Sequence, residues 1–335
     1  MSDQNDLFAD WDEHPSALPS NDFELASAQW LLGLMDLPKI GAKRALSLAK
    51  HFRTLEKLRS ATVEELYEVS KVKDLDVREL VARDPGSDSG VKVTTYFSED
   101  YPKGLKDLSD APPVLWYRGV LPEAPMTAIV GTREPSAWGA SEAKRIGFSA
   151  AKSGIGVVSG LALGIDTKAH EGALEAGGIT VAILACDVRS PSPASNVDLA
   201  ERIIASGGAL ISEVPFNTRT EPRTLVARNR VQAALADSLV MVECGVPSGT
   251  LHTVRFAFEM GRKVAVCEPP KDQANAVQSE GNRRLASLDN GDLTFLSKEL
   301  KFEIAMAGKK PLADYLLNDP ESLDQFIRGH FGVSQ

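Results

Sequence analysis

Three cysteines stand among 335 residues, Cys186, Cys244 and Cys267, an odd set with no Cys-x-x-Cys spacing. That excludes a disulfide framework and a zinc knuckle, and no metal is expected. The chain has no uninterrupted apolar run of the roughly 18 residues a membrane span needs. Its N-terminus lacks the basic and apolar segments of a secretory signal. A soluble cytoplasmic protein is the expectation, with no membrane partner. At 43% apolar and 25% charged residues it can bury a sizeable core in two or three units. Positive charge is also scarce: the formal net charge is -9, which at first speaks against a nucleic-acid partner. The deficit is local. Residues 1–24 hold seven acids and no Lys or Arg, and residues 291–335 have a net charge of -2, so the span 25–290 is neutral.

The first 24 residues, polar and interrupted by Pro15 and Pro19, read as an acidic disordered leader. Residues 25–82 read as a small helical domain. Trp30, Leu31, Leu34 and Met35 lie at helix spacing, Leu37-Pro38-Lys39-Ile40-Gly41 makes a turn, a second helix runs from Ala42 to about His51, and a third lies near 62–70. This arrangement is similar to a helix-hairpin-helix, whose helix N-terminus offers amides to phosphate; plain helical packing explains it equally well. Residues 83–98 read as a linker and a first extended segment. Beyond them, short apolar runs at 127–130, 155–158, 179–185, 209–211, 238–242 and 263–267 alternate with helical stretches. Near-continuous apolar strands separated by helices specify a mostly parallel sheet covered on both faces, a doubly wound Rossmann-like α/β domain over 99–290. The tail, 291–335, reads as helices at about 311–317 and 321–329.

Ligands of such a domain bind at the carboxyl ends of the strands. The first loop there, Gly131-Thr132-Arg133-Glu134-Pro135, aims the Thr132 hydroxyl and the Arg133 guanidinium at the crevice mouth. Arg133 either grips a phosphate bidentately or pairs with Glu134. In the second loop, Ser159 to Asp166, Gly160 and Gly164 allow close backbone approach, and Asp166 is placed to cap the next helix. This loop is neither Gly-x-Gly-x-x-Gly nor a P-loop, so no nucleotide cofactor is implied. Between 219 and 230 stand Arg219, Arg223, Arg228 and Arg230 with one acid, a local charge of +3. On a helix Arg223 and Arg230 share a face while Arg228 points away, so one face is expected to bind ligand and the other to form an internal salt bridge, with Asn229 positioning backbone. A solvated basic face is the plainer alternative. In the fourth loop Ser248 and Thr250 precede a helix, where they cap it or touch phosphate. Several anion-ready loops thus meet at one end of the sheet. By contrast no catalytic constellation emerges: His170 and His252 lie on helices, and Cys186 and Cys244 lack an evident His partner.

In unbroken order over about 99–285, Tyr101-Pro102, Pro113-Val114-Leu115-Trp116-Tyr117-Arg118-Gly119, Ala128-Ile129-Val130-Gly131-Thr132-Arg133, Val158 to Asp166, Ser212-Glu213, Ala227-Arg228-Asn229-Arg230, Ser248-Gly249-Thr250-Leu251 and Gly261-Arg262-Lys263-Val264 resemble the DNA-processing protein DprA (Smf) family. The resemblance implies a non-enzymatic protein that binds and protects incoming single-stranded DNA in natural transformation and loads the RecA recombinase onto it, as a homodimer. It also implies DNA-pocket roles for Arg133, Ser159, Gly160, Arg228, Asn229 and Arg230. Trp138 and Phe216 are candidates to stack a base, a contact worth roughly 1–3 kcal/mol. Arg133→Ala and Arg230→Ala are both expected to weaken single-strand binding.

The chain departs from the family where Cys267-Glu268-Pro269-Pro270 replaces the common Val-Pro-Gly, where the following segment is reduced to Gly281-Asn282-Arg283-Arg284-Leu285, and in a tail too unpatterned for a winged helix. These differences touch the dimer surface and the RecA contact, and fit a specialised paralogue on a mobile element or in defence. A different class of function, a phosphoribohydrolase of the nucleotide-binding Rossmann group, resembles Ser248-Gly249-Thr250 but needs a Glu three residues on, where this chain has Thr253; release of free base from nucleotides would reveal it. If the acidic leader competes with DNA for the basic cluster, deleting residues 1–24 tightens binding in a low-salt titration. An unchanged affinity would leave it a solubilising tail.

Overall fold

The computed structural model describes residues 23–218, 220–273, 276–287, 293–297, 306, 309 and 311–332. Most of the acidic leader, through residue 22, lies outside the described residues, as does Arg219. The chain divides into two units, Met1–Asp84 and Pro85–Gln335.

In the first unit α1 (Ala28–Asp36) buries Leu31, Leu32 and Leu34, and α2 (Ala42–Phe52) buries Ala45, Leu46, Leu48, Ala49 and Phe52. This i, i+3, i+4 spacing gives each helix one apolar stripe. After the short α3 (Leu55–Ser60), α4 (Val63–Ser70) opens with a capping box in which the Thr62 hydroxyl accepts from the Glu65 amide and the Glu65 carboxylate accepts from the Thr62 amide. Gly33 is required by close packing, because a Cβ there would strike the Val81 carbonyl.

The second unit is built on one nine-stranded sheet: β1 (Lys92–Thr95), β2 (Val114–Gly119), β3 (Met126–Val130), β4 (Gly156–Ser159), β5 (Thr180–Leu184), β6 (Ala209–Ser212), β7 (Ser238–Met241), β8 (Lys263–Cys267) and β9 (Tyr315–Leu317). Their spatial order is β1-β2-β6-β5-β4-β3-β7-β8-β9. The pairs from β6 to β9 are parallel, and β2 and β1 add an antiparallel edge. Helices α5 (Ala137–Lys152), α6 (Ile165–Glu175), α7 (Val197–Ala205), α8 (Pro222–Leu235) and α9 (Thr250–Glu259) form the crossovers, followed by α10 (Glu280–Ala286) and α11 (Pro320–Phe331). Both faces of the sheet are covered, which is why the strands read as unbroken apolar runs. Successive residues go to opposite sides: Val130, Val158 and Leu239 join one core, and Ile129, Val157 and Val240 the other. Among the described residues no helix is long and apolar enough to cross a membrane.

The six anticipated strands and the crossover helices lie where the apolar periodicity puts them. The tail differs. Where a helix was expected over 311–317, Tyr315–Leu317 pairs in parallel with Ala265–Cys267. The open edge of β8 supplies backbone partners that a three-residue stretch could not find alone. Asp314 fixes the approach by accepting a hydrogen bond from the Val264 amide at 2.9 Å and pairing with Lys263 and Lys309.

Candidate functional site

From β3 the chain steps outward through β4, β5 and β6, then returns to place β7 on the other side of β3. The loops after β3 and β7 therefore diverge, the switch point at which α/β sheets open a crevice. A cavity of about 470 Å³ lies there, between Gly131–Arg133, Ala162 and Asp166, the start of α9 and one face of α8.

The β3 loop is held from below by Glu243, which is 1% exposed. The Glu243 backbone carbonyl accepts from the Thr132 amide at 2.8 Å, and its carboxylate accepts from the Ser136 amide at 2.8 Å. A carboxylate is favoured beside the N-terminus of the 16-residue α5. Gly139 leaves the space, since a Cβ there would meet the Glu243 carboxylate. So supported, the loop presents Arg133 to solvent, and among the described residues no carboxylate pairs with it. Pairing with Glu134, open from sequence, is not what forms.

Behind Arg133 lies Arg228, its side chain 9% exposed. Its Nη1 donates to the Ile183 carbonyl at 3.1 Å and stands 4.0 Å from the Asp166 carboxylate. Burial lowers the Arg228 pKa, Asp166 draws it back up, and the nearby Arg133 lowers it further. Burial likewise raises the Asp166 carboxyl, against the opposing pull of Arg228, Ser159 and the amides of Ala162 and Gly160. Asp166 does not cap α6, whose N-cap is Gly164; its carboxylate instead accepts from the Gly160 and Ala162 amides at 3.0 and 3.3 Å and folds the loop onto itself. Glycine is required at 160 because a Cβ would fall on the Arg228 guanidinium. The close approach expected there is made by the protein's own cation.

Across the crevice Asn229 Nδ2 donates to the Gly249 carbonyl at 3.2 Å, Thr250 Oγ1 donates to the Gly131 carbonyl at 2.9 Å, and Ser248 Oγ accepts from the Thr250 amide at 3.2 Å. These bonds tie the start of α9 to α8 and to the β3 loop. Thr132, Arg133, Arg228, Asn229, Ser248 and Thr250 thus meet around one cavity.

Other anticipated residues lie elsewhere. Ser159 is fully buried and donates to the Ile129 carbonyl at 2.7 Å. Gly164, at φ 79°, lets the second loop pack against the Thr132 and Arg133 carbonyls. Arg230 is turned away from the crevice, bound to both Glu213 oxygens at 3.0 and 2.8 Å and to Asp110 at 2.9 Å. It is the internal ion-pair face, and it lines a separate groove with the exposed Arg223. Trp138 is half-buried, packed against the apolar core on one face of the sheet. Phe216 is engaged by the Arg189 guanidinium 3.9 Å from its ring centre and by Trp116 at 6.4 Å, so its ring already has partners within the protein. His170 shares a 2.7 Å hydrogen bond with Thr180, and burial together with Arg228 holds its pKa down at about 3. Burial pushes the Cys244 thiol up to about 11 and those of Cys186 and Cys267 upward as well. Among the described residues no group of three His, Cys, Asp or Glu is placed to hold a metal ion.

Gln232 and Thr253, each 2% exposed, also line the cavity and were not anticipated as site residues. The signal for Gln232 was an amide amid Val231, Ala233, Ala234 and Leu235. For Glu243 it was an acid ending an apolar strand.

A doubly wound α/β domain with a switch-point crevice lined by arginines, preceded by a helical unit, defines a protein of the Rossmann-like class. Residues 92–294 match the family model for DNA recombination-mediator protein A, and residues 31–80 match that of the SAM-like helix-hairpin-helix tandem. The chain belongs to the DNA recombination-mediator protein A (DprA/Smf) family. Protein Smf of Synechocystis sp. is 35% identical over 221 residues, 64% of this chain and 54% of that protein. A putative DNA processing protein DprA of Mycobacterium tuberculosis is 40% identical over 166 residues, 48% and 42% respectively. The chain thus spans about half the length of the curated relatives it matches. The X-ray structure of DNA processing protein A from Streptococcus pneumoniae superposes with a TM-score of 0.63 at 24% identity, covering 80% of this chain and 93% of that one. A structure of DNA processing protein A from Helicobacter pylori, described for its single-stranded DNA binding mode, gives 0.51 at 27% identity, covering 58% and 86%.

Proposed function

We propose that the crevice is a phosphate cradle for single-stranded DNA, and that the protein is a non-enzymatic recombination mediator of the cytoplasm. In this reading it receives and protects incoming single strands in natural transformation and loads the RecA recombinase onto them, acting as a homodimer. The observation that carries the reading is Arg133: an exposed guanidinium with no ion pair among the described residues, at the mouth of a switch-point crevice, with the buried Arg228 behind it. A planar fork of donors suits a phosphate diester. The N-terminus of α9 adds a favourable partial charge. The single-strand binding described for the Helicobacter pylori relative supports the choice of polymer. Thr253, a hydroxyl on the cavity wall where a phosphoribohydrolase needs a carboxylate, supports a binding site with no bond-breaking step.

A gel-shift titration tests the reading. The protein is expected to prefer single-stranded oligonucleotides over duplex at moderate salt, with log affinity falling against log salt by about 0.7 for each phosphate neutralised. Equal affinity for the two forms would overturn it.

A further inference from the structure

The loops after β5 and β6 hold one guanidinium more firmly than a surface arginine needs. Arg189 lies over the Phe216 ring, 3.9 Å from its centre. Around its edge the buried Asp187 carboxylate accepts from Nη2 at 2.6 Å and from Nε at 3.1 Å, and Asn217 Oδ1 accepts from Nη2 at 3.0 Å. Asp187 is itself fixed by the amides of Arg189 and Asn217, at 2.9 and 2.8 Å. Asn217 takes a left-handed φ of 62° to reach both groups, a conformation Asn adopts more readily than most residues. The Arg189 side chain is still 28% exposed. Phe216 covers one face of its plane, so the other face is what solvent reaches.

Holding the chain together does not account for this. Phe216 packs where a Cβ on Gly86 would strike its ring, and beside Trp116, whose Nε1 donates to the Pro85 carbonyl at 2.9 Å. Those contacts secure Pro85 and Gly86 without Arg189, whose own reach to that segment is a 3.4 Å contact with the exposed Asp88. Position gives the better reason. Both loops leave the carboxyl ends of their strands, as the crevice loops do, and β5 and β6 are two and three strands from β3. At about 4.8 Å between strands that is roughly 10 and 14 Å, the length of three or four stacked nucleotides at about 3.4 Å each and of fewer extended ones. A smaller cavity of about 170 Å³ bridges the interval, lined by Arg133 and Arg228 and by Cys186, Ser192 and Pro193 of the β5 loop, and among the described residues that line it none carries a carboxylate.

We propose that the outer face of the Arg189 guanidinium is a stacking platform for one base of the bound strand, outside the crevice. The inference rests on the single-strand reading above and adds to it a second point of contact on the β5 and β6 loops. Asp187 already neutralises Arg189, so a phosphate gains little there. What remains is a flat, weakly hydrated plane of the kind on which unpaired bases stack. Every base has such a face, so the platform reads no sequence. In a duplex both faces of a base are covered by its neighbours, so the platform favours single strands.

The test compares a short mixed-sequence strand with an abasic strand of equal phosphate count, by fluorescence anisotropy, in the full chain and in Arg189→Lys. Lysine keeps a charge for Asp187 and loses the plane. The variant is expected to bind the base-bearing strand about three- to tenfold more weakly than the wild type does, the worth of one cation–π stack. Its affinity for the abasic strand, and the salt slope on both strands, should match the wild type. A residue that only braces the loops would weaken both strands alike. An equal change on the two strands, or no change on either, overturns the platform while leaving the phosphate cradle in place. A wild type that binds neither strand overturns both. Should Arg189→Lys fail to fold, an arginine-directed dicarbonyl reagent on the wild type gives the same comparison. The base-bearing strand is expected to protect Arg189 and the abasic strand to leave it as reactive as in the free protein, with Arg133 protected by both; equal labelling of Arg189 with the two strands again overturns the platform.

Discussion

Arg133→Ala is expected to lower affinity for a short single strand by roughly ten- to a hundredfold without lowering the unfolding midpoint. The two halves of that result come from the same geometry. A hydrogen bond to a charged group is worth about 1.5–3 kcal/mol, and each 1.4 kcal/mol is about tenfold in affinity. Because Arg133 is exposed and no carboxylate among the described residues pairs with it, truncation leaves no partner stranded in the folded protein. It even removes a charge that disfavours the buried Arg228. The salt slope should fall by about 0.7, one phosphate's share on a single strand. Arg133→Lys keeps the charge but loses the planar fork and should lie between the two. Unchanged affinity and slope in Arg133→Ala, measured by anisotropy across a salt series, would remove this residue from the interface. Arg230→Ala provides the contrast. Arg230 is committed to Glu213 and Asp110, so its loss is expected chiefly as instability, whereas the sequence pattern alone pointed to weakened binding for both arginines.

The difference between those two arginines marks what the sequence could make legible. Apolar runs such as Ala128-Ile129-Val130 and Leu239-Val240-Met241 declare parallel strands, and the loops after them follow as ligand positions. The i, i+3 logic of a helix was enough to separate Arg228 from Arg230. Which of the two faced the crevice was not legible, since Asp110 is 120 residues from Arg230 along the chain. Gly160 likewise announced a close approach without naming what approaches. Strand β9 stayed hidden because Tyr315–Leu317 becomes extended only through the free edge of β8. Asp166 sat next to a helix start and read as a cap; only the folded loop turns its carboxylate back to the Gly160 and Ala162 amides.

Arg228→Met should cost about 3–5 kcal/mol of folding stability at neutral pH, the usual loss when one partner of a buried charge pair is removed. The guanidinium opposes the burial that raises the Asp166 carboxyl, so without it Asp166 is left as a buried charge held by its hydrogen bonds to the Gly160 and Ala162 amides. The pH dependence then has a fixed sign. A carboxyl whose folded pKa is raised contributes stability that is fully present below its unfolded value, near 3.8, and is lost as pH rises through the folded value. Removing Arg228 raises the folded value further, so the deficit against wild type opens as pH climbs and narrows in acid. His170 works in the same direction. Held at about 3 by burial and by Arg228, it costs the wild type stability as pH falls from 6.5, and relief from the arginine's charge spares the variant part of that loss. Asp166→Asn combined with Arg228→Met should recover most of the stability at neutral pH, because the amide oxygen keeps the backbone bonds and the bare charge is gone. Denaturant midpoints of the wild type, Arg228→Met, Asp166→Asn and the double variant at two pH values decide the matter. A deficit of equal size at both pH values, unrelieved by Asp166→Asn, would mean that Arg228 acts by filling space above Gly160 and not by its charge.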